Sequence, residues 1–139
     1  MDDELIWVCG LVTRVACRRM TSRYLKAVSD SVEQVCCLPV TFAWDRKAMA
    51  HAEIVNLLAD SAADPVLGLL VRNVPGHLYE LMITAGPAAD GVIASSRRRL
   101  LALIRARDAD GAGLEMEQHL EGLSWIAERR CVPAREATV

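Results

Sequence analysis

Apolar residues recur along this chain at spacings of three and four, and no stretch alternates with a period of two, so the pattern predicts helices throughout. Six segments carry it. The first, residues 3–20, has Leu5, Val8, Val12 and Val15 as its stripe, with acids at its start and Arg18 and Arg19 at its end, as the helix dipole favours. The second opens at Thr21 or Ser22, natural N-caps, and presents Leu25, Val28, Val32 and Val35 before Pro39. The third, 41–62, turns Ile54, Val55, Leu58 and Ala62 inward. Asp64-Pro65 reads as an N-cap followed by proline in the first turn of the fourth. That helix carries Leu67, Leu70, Val71, Val74, Leu78 and Leu81, and a kink is expected at Pro75-Gly76. Residues 84–91, with Gly86, Pro87 and Gly91, read as the one substantial loop. The fifth helix, 90–107, carries Ile93, Leu100 and Ile104. After a tight connection at 108–113, the sixth, 113–130, carries Met116, Leu120, Leu123 and, in part, Ile126. Residues 1–131 then form one helical domain and 132–139 a frayed tail. Short connections between consecutive helices imply antiparallel neighbours. The expected fold class is all-α, an antiparallel bundle of about six to seven helices.

Length and composition agree. The chain has 139 residues, 53% of them hydrophobic, which suits one domain with a sizeable core. Aromatics are only 4%, which favours helices over a sandwich or barrel. The net charge is −2, and the basic clusters at Arg97–Arg99 and Arg129-Arg130 lack interleaved aromatics, so this chain alone is not expected to bind nucleic acid. No apolar run is long enough for a membrane span, and Met1-Asp2-Asp3-Glu4 is acidic where a signal peptide is basic. A cytoplasmic protein without membrane association is expected. The cysteines (Cys9, Cys17, Cys36, Cys37 and Cys131) are odd in number and fit neither a disulfide framework nor a CxxC zinc site, so they read as small hydrophobes. No GxGxxG, P-loop, HExxH or GxSxG occurs, and Ser95 and Ser96 have no base beside them, so no enzyme is expected.

The informative residues are those that interrupt an apolar stripe. The inward positions of the third helix extend back to His51. On the fifth, Ile93 and Leu100 bracket Arg97, and on the sixth His119 sits beside Leu120. A buried imidazole or guanidinium must find partners, because leaving it unpaired costs on the order of 1–3 kcal/mol. Three such residues on three helices would converge on one internal cavity. The blander alternative is two core histidines with one hydrogen bond each, and an Arg97 that reaches solvent with Arg98 and Arg99 along its aliphatic stem.

The order of elements is similar to that of a known family. Asp64-Pro65-Val66-Leu67 after an amphipathic helix resembles the Asn-Pro-x-Leu junction of the FCD domain, the all-helical effector-binding module of the FadR branch of GntR-type bacterial transcription regulators. The run Leu101-Ala102-Leu103-Ile104-Arg105-Ala106-Arg107-Asp108-Ala109-Asp110, followed by Met116 and His119-Leu120, resembles the last two helices of that module. The Glu4-Leu5 helix and the Met20-Thr21-Ser22 junction fit the same plan, so the likeness covers nearly the whole chain. It implies a homodimer that binds a small-molecule effector, often a carboxylate, and thereby controls an attached DNA-binding domain. In the family a winged helix-turn-helix domain precedes the helical one, whereas this chain opens at the first helix of the helical module. The apolar residues on more than one face of the first and fourth helices (Ile6 and Leu11; Leu69 and Met82) suit a two-fold interface.

Many such domains hold a divalent metal through an Asp and a His one helical turn apart and two further His. By the resemblance these positions fall here on His51, Val55, Arg97 and His119. Two imidazoles and a guanidinium make a poor metal site. The ligand-binding residues expected are therefore His51, Val55, Arg97 and His119, with no metal and no cofactor, and with Arg97 gripping a carboxylate directly. The alternative function is a structural dimerisation module whose ligand cavity is vestigial.

Overall fold

The computed structural model describes the backbone of residues 1–137 and the side chains of residues 1–131. Seven α-helices and one short 3-10 turn account for nearly all of it, with no strand among the described residues. They are α1 (Asp3–Arg19), α2 (Ser22–Cys36), α3 (Trp44–Ala62), α4 (Pro65–Leu70), α5 (Val74–Ala85), α6 (Asp90–Arg105) and α7 (Ala109–Ala137), with the 3-10 turn at Pro87–Ala89. No described helix is long and apolar enough to cross a membrane.

Local chemistry explains the boundaries. The Thr21 side chain caps α2 by accepting from the Tyr24 amide. Asp64 caps α4 through the amides of Val66 and Leu67, with Pro65 in the first turn. Three expected boundaries move. The break in the fourth segment falls at Val71–Asn73, not at Pro75-Gly76, because proline fits the first turn of α5, where no amide is needed. The expected loop at 84–91 shrinks to Gly86 and the 3-10 turn. Gly86, at φ 80°, ends α5 in a conformation that other residues rarely adopt. The last helix begins at Ala109, because the Asp108 carboxylate accepts from the Gly111 amide, and it runs to Ala137. The tail expected at 132–139 falls on side chains outside the described residues.

Two glycines serve close packing. Side-chain atoms of Glu117 occupy the space a Cβ on Gly10 would need, and those of Arg14 do so at Gly113. Arg14 and Glu117 join across this seam at 3.0 Å, so α1 and α7 run antiparallel in close contact. Here the expectation of sequential neighbours fails in part. Ser96 Oγ donates to Glu115 and Leu103 lies beside Gly111, so α6 and α7 form an antiparallel pair as expected, and α2 packs on α3. However, α1 packs chiefly on α7 and α3 rather than on α2. Its C-cap Met20 is extended, at ψ 118°, and turns the chain away. Arg107 then fastens the corner, donating to the carbonyls of Cys17 and Met20.

The core contains most of the expected stripes. Val28, Val32 and Val35 of α2, Ile54, Val55, Leu58 and Ala62 of α3, and Ile93, Leu100 and Ile104 of α6 are all buried. The stripe of α1 is rotated: Ile6, Cys9, Val12, Ala16 and Cys17 are buried, while Leu5, Val8 and Val15 are half-buried. With neighbours on two sides, α1 buries a wider sector centred on its small residues. Leu70, the last residue of α4, is exposed, whereas Leu67 is buried. Of the four residues expected at a second apolar face, Leu11 and Leu69 are exposed, whereas Ile6 and Met82 belong to the core.

Candidate functional site

His51 sits in mid-α3, one turn after Lys47 and one turn before Val55, on the buried face. Arg97 sits on α6 between Ile93 and Leu100, and His119 on α7 beside Leu120. Arg97 is 1% exposed and His51 fully buried, with His119 at 6% and Val55 at 2%. The run Arg97-Arg98-Arg99 therefore splits: Arg98 and Arg99 face solvent and Arg97 faces the core. The helical turn makes this possible, since position 97 lies one turn from both 93 and 100–101 while 98 and 99 do not.

Arg97 Nη2 donates to the backbone carbonyl of His51 across 3.3 Å. That bond ties α6 to α3. It is long, and its acceptor is a neutral carbonyl rather than a carboxylate. Arg97 Nε, both ring nitrogens of His51 and Nε2 of His119 are buried with no hydrogen-bond partner. Buried polar groups are nearly always paired, so four unpaired atoms on three facing side chains mark a site short of partners.

The electrostatics agree. Burial, with Arg97 and Lys47 nearby, pushes His51 down to about 3. Burial, then Arg97, His51 and Arg99, push His119 well below the ordinary histidine value. Both imidazoles are neutral at pH 7. Burial lowers Arg97 to about 10, opposed by Cys36, Cys9 and Glu115, so it stays charged. Burial raises the Cys9 thiol to about 11 against the pull of Arg97, so Cys9 is a protonated wall and not a counter-ion.

The carboxylates nearby are already engaged. Glu115 accepts from Ser96 Oγ at 2.9 Å and from Arg99 Nε at 2.6 Å. Asp90 pairs through Oδ2 with the buried Lys47 at 2.7 Å, while its Oδ1 is buried with no hydrogen-bond partner. Lys47 and Glu115 were not singled out in the sequence. The signal for Lys47 was there, one turn before His51 on the same stripe. Glu115 gave none, because its partners come from another helix.

The divalent metal implied by the resemblance does not fit these residues. Val55 offers no donor, and the Arg97 cation acts electrostatically on both histidines. Among the described residues no group of three His, Cys, Asp or Glu side chains converges as a cation site.

A surface groove lies elsewhere, between α5 and α7. It measures about 560 Å3 and is lined by His77, Glu80, Leu81, Ser124, Ala127 and Glu128 among others. Its residues include none of the unpaired buried atoms around Arg97. A smaller recess of about 220 Å3 lies between α2 and α6, lined by Cys36, Arg98, Leu101 and Arg105.

The sequence model of the FCD domain matches residues 9–122, most of the 139-residue chain. No curated protein and no solved structure matches it.

Proposed function

The chain belongs to the FCD domain family, and on that basis we propose that it is the effector-binding and dimerisation domain of a GntR-type bacterial transcription regulator. The observation that carries the ligand assignment is the buried guanidinium of Arg97, which has no carboxylate partner among the described residues. A buried charge without a counter-ion is destabilising by several kcal/mol. An anionic effector supplies the missing charge. In this reading a carboxylate takes two parallel hydrogen bonds from Arg97, His51 and His119 contribute further bonds, and Val55 leaves room beside them. The guanidinium does the anion-holding work that a metal does in relatives.

The effector acts by binding one arrangement of the helices better than another, and so biases the pose of DNA-binding domains attached to the module. Arg97 and His51 lie on different helices, so a ligand that competes for Arg97 loosens the α6–α3 tie. A second copy pairs through exposed apolar residues on α1, Trp7 and Leu11, and on the adjacent α7, Leu114 and Trp125. No part of the site calls for catalysis.

A second reading keeps the dimer and discards the ligand, and one observation favours it: neither the α5–α7 groove nor the α2–α6 recess is lined by Arg97, His51 or His119. A thermal-shift screen of the protein with small carboxylates and divalent metals, each with and without chelator, separates the two. Chelator-insensitive stabilisation by a carboxylate supports the effector domain. Indifference to every carboxylate supports the second reading.

A further inference from the structure

We propose that Cys37 is a site of reversible S-thiolation by a small anionic disulfide, drawn into the recess between α2 and α6 by the guanidinium of Arg98. The inference is independent of the effector reading, since none of His51, Arg97 and His119 lines this recess. Cys36 is the last residue of α2 and Cys37 its C-cap, and both line the recess with Glu33, Arg98, Leu101 and Arg105. Its volume of about 220 Å3 leaves room for more than water, whose share is roughly 30 Å3 per molecule.

The two thiols are not equivalent. Cys36 is half-buried, and its Sγ donates to the Ala94 carbonyl of α6 at 3.8 Å. Burial raises its pKa against the pull of Arg98 and Arg97, so it stays a thiol. Cys37 is exposed. The charges beside it do not cancel. Glu33 pairs with Arg105, which also donates to Ser29. Arg98 donates to the Cys36 carbonyl at 3.5 Å and pairs with no carboxylate among the described residues. An accessible thiol thus shares a recess with an unpaired cation, which attracts an anionic reagent.

In the reaction Cys37 gives its proton to solvent, and the thiolate attacks one sulfur of the disulfide R–S–S–R. A bond forms between Cys37 Sγ and that sulfur, and the S–S bond of the reagent breaks. The leaving R–S⁻ takes up a proton, so the reagent is reduced as Cys37 is oxidised. The adduct does not pass on to Cys36. Adjacent Cα atoms lie about 3.8 Å apart, closer than the roughly 4.4–6.8 Å that an unstrained disulfide spans. The carboxylate of the adduct then pairs with Arg98 at the α2–α6 contact.

A charge series on the reduced full chain tests this: 3,3′-dithiodipropionate as dianion, bis(2-hydroxyethyl) disulfide as neutral reagent and cystamine as dication. Peptide mass mapping of acid-quenched samples gives each rate at Cys37. Dividing by the Cys37 rate in the urea-unfolded chain cancels the intrinsic reactivity of each reagent. The expected ratio is at least about fivefold higher for the dianion than for the neutral disulfide, the factor that one unit-charge attraction at about 4 Å supplies in water. It should be lowest for cystamine, and about 1 M salt should remove most of the difference. Arg98→Gln should abolish the preference for the dianion, and Arg98→Lys should keep most of it. Ratios that ignore reagent charge in the wild-type protein overturn the proposal, as does an unchanged preference in Arg98→Gln. A product that maps to a Cys36–Cys37 disulfide also overturns it. The wild-type series decides the matter even if a variant fails to fold.

Discussion

The guanidinium of Arg97 and the backbone carbonyl of His51 meet at 3.3 Å in the middle of the bundle, and among the described residues this is the one hydrogen bond the guanidinium makes. An arginine 1% exposed would ordinarily face a carboxylate. Glu115 is held by Ser96 and Arg99, and Asp90 pairs with Lys47 through Oδ2 while its Oδ1 stays unpartnered. The core thus contains a guanidinium that makes no ion pair among the described residues.

Replacing that charge with an apolar side chain of similar reach is expected to help the ligand-free protein. In anion-free buffer, Arg97→Met should be as stable as wild type or more so by about 1–3 kcal/mol, because methionine fills the space without a buried charge. Urea unfolding measures this. A loss above about 2 kcal/mol would mean that Arg97 is a satisfied structural residue.

Acid is expected to weaken the fold through the two histidines. An unfolded histidine titrates near 6.5, whereas folded His51 titrates at about 3 and His119 well below its ordinary value. Between those limits the unfolded chain binds more protons, so stability rises with pH and is lost as pH falls below about 6.5. Each histidine contributes about 1.4 kcal/mol per pH unit once the unfolded form is protonated. Moving from pH 7.5 to 5.5 should therefore cost roughly 2–3 kcal/mol for the pair, and His51→Phe should remove about half of that dependence. A flat profile over this range would place both imidazoles in contact with water.

The α3–α6 tie has a second strand in the ion pair of Lys47, 5% exposed, with Asp90. Lys47→Met leaves Asp90 partnerless and should destabilise by about 1–3 kcal/mol, and adding Asp90→Asn should restore much of the loss. A double-mutant cycle reads the coupling directly. Coupling near zero would show that solvent already screens the pair.

Two non-glycine residues take positive φ, and they should respond oppositely to glycine. Ala63, at φ 50°, ends α3 and is exposed. Ala63→Gly should add about 0.5–1 kcal/mol. Arg107, at φ 58°, pins the end of α1 through the carbonyls of Cys17 and Met20. Arg107→Gly relieves the backbone but loses both bonds, and should destabilise by about 1–2 kcal/mol net. Thermal unfolding of the two variants decides whether strain or side-chain bonding dominates each cap.

Much of this architecture was legible in the sequence because it rests on local chemistry. Thr21 and Asp64 cap helices in the structure as their positions suggest, and the stripes of α2, α3 and α6 are buried as their spacing requires. What was not legible depends on partners distant in sequence. The face of α1 is set by α7 and α3, so Leu5, Val8 and Val15 yield the deepest places to Cys9, Ala16 and Cys17. The close approach at Gly10 and Gly113 is visible only once Glu117 and Arg14 are seen filling the space beside them. At the site, the inward placement of His51, Arg97 and His119 followed from helical spacing alone. The pairing of Glu115 with Ser96 and Arg99 did not, because it joins two helices.

The central claim is that Arg97 anchors an anionic effector without a metal. Thermal unfolding of chelator-treated wild type and Arg97→Met, side by side with lactate and with propionate, tests it most directly. The account predicts that at least one of these carboxylates stabilises the wild type in the presence of chelator, by about 2.7 kcal/mol at a hundredfold excess over Kd, and leaves Arg97→Met unmoved. Equal stabilisation of both proteins, or stabilisation of the wild type that appears only when a divalent metal is restored, would contradict it.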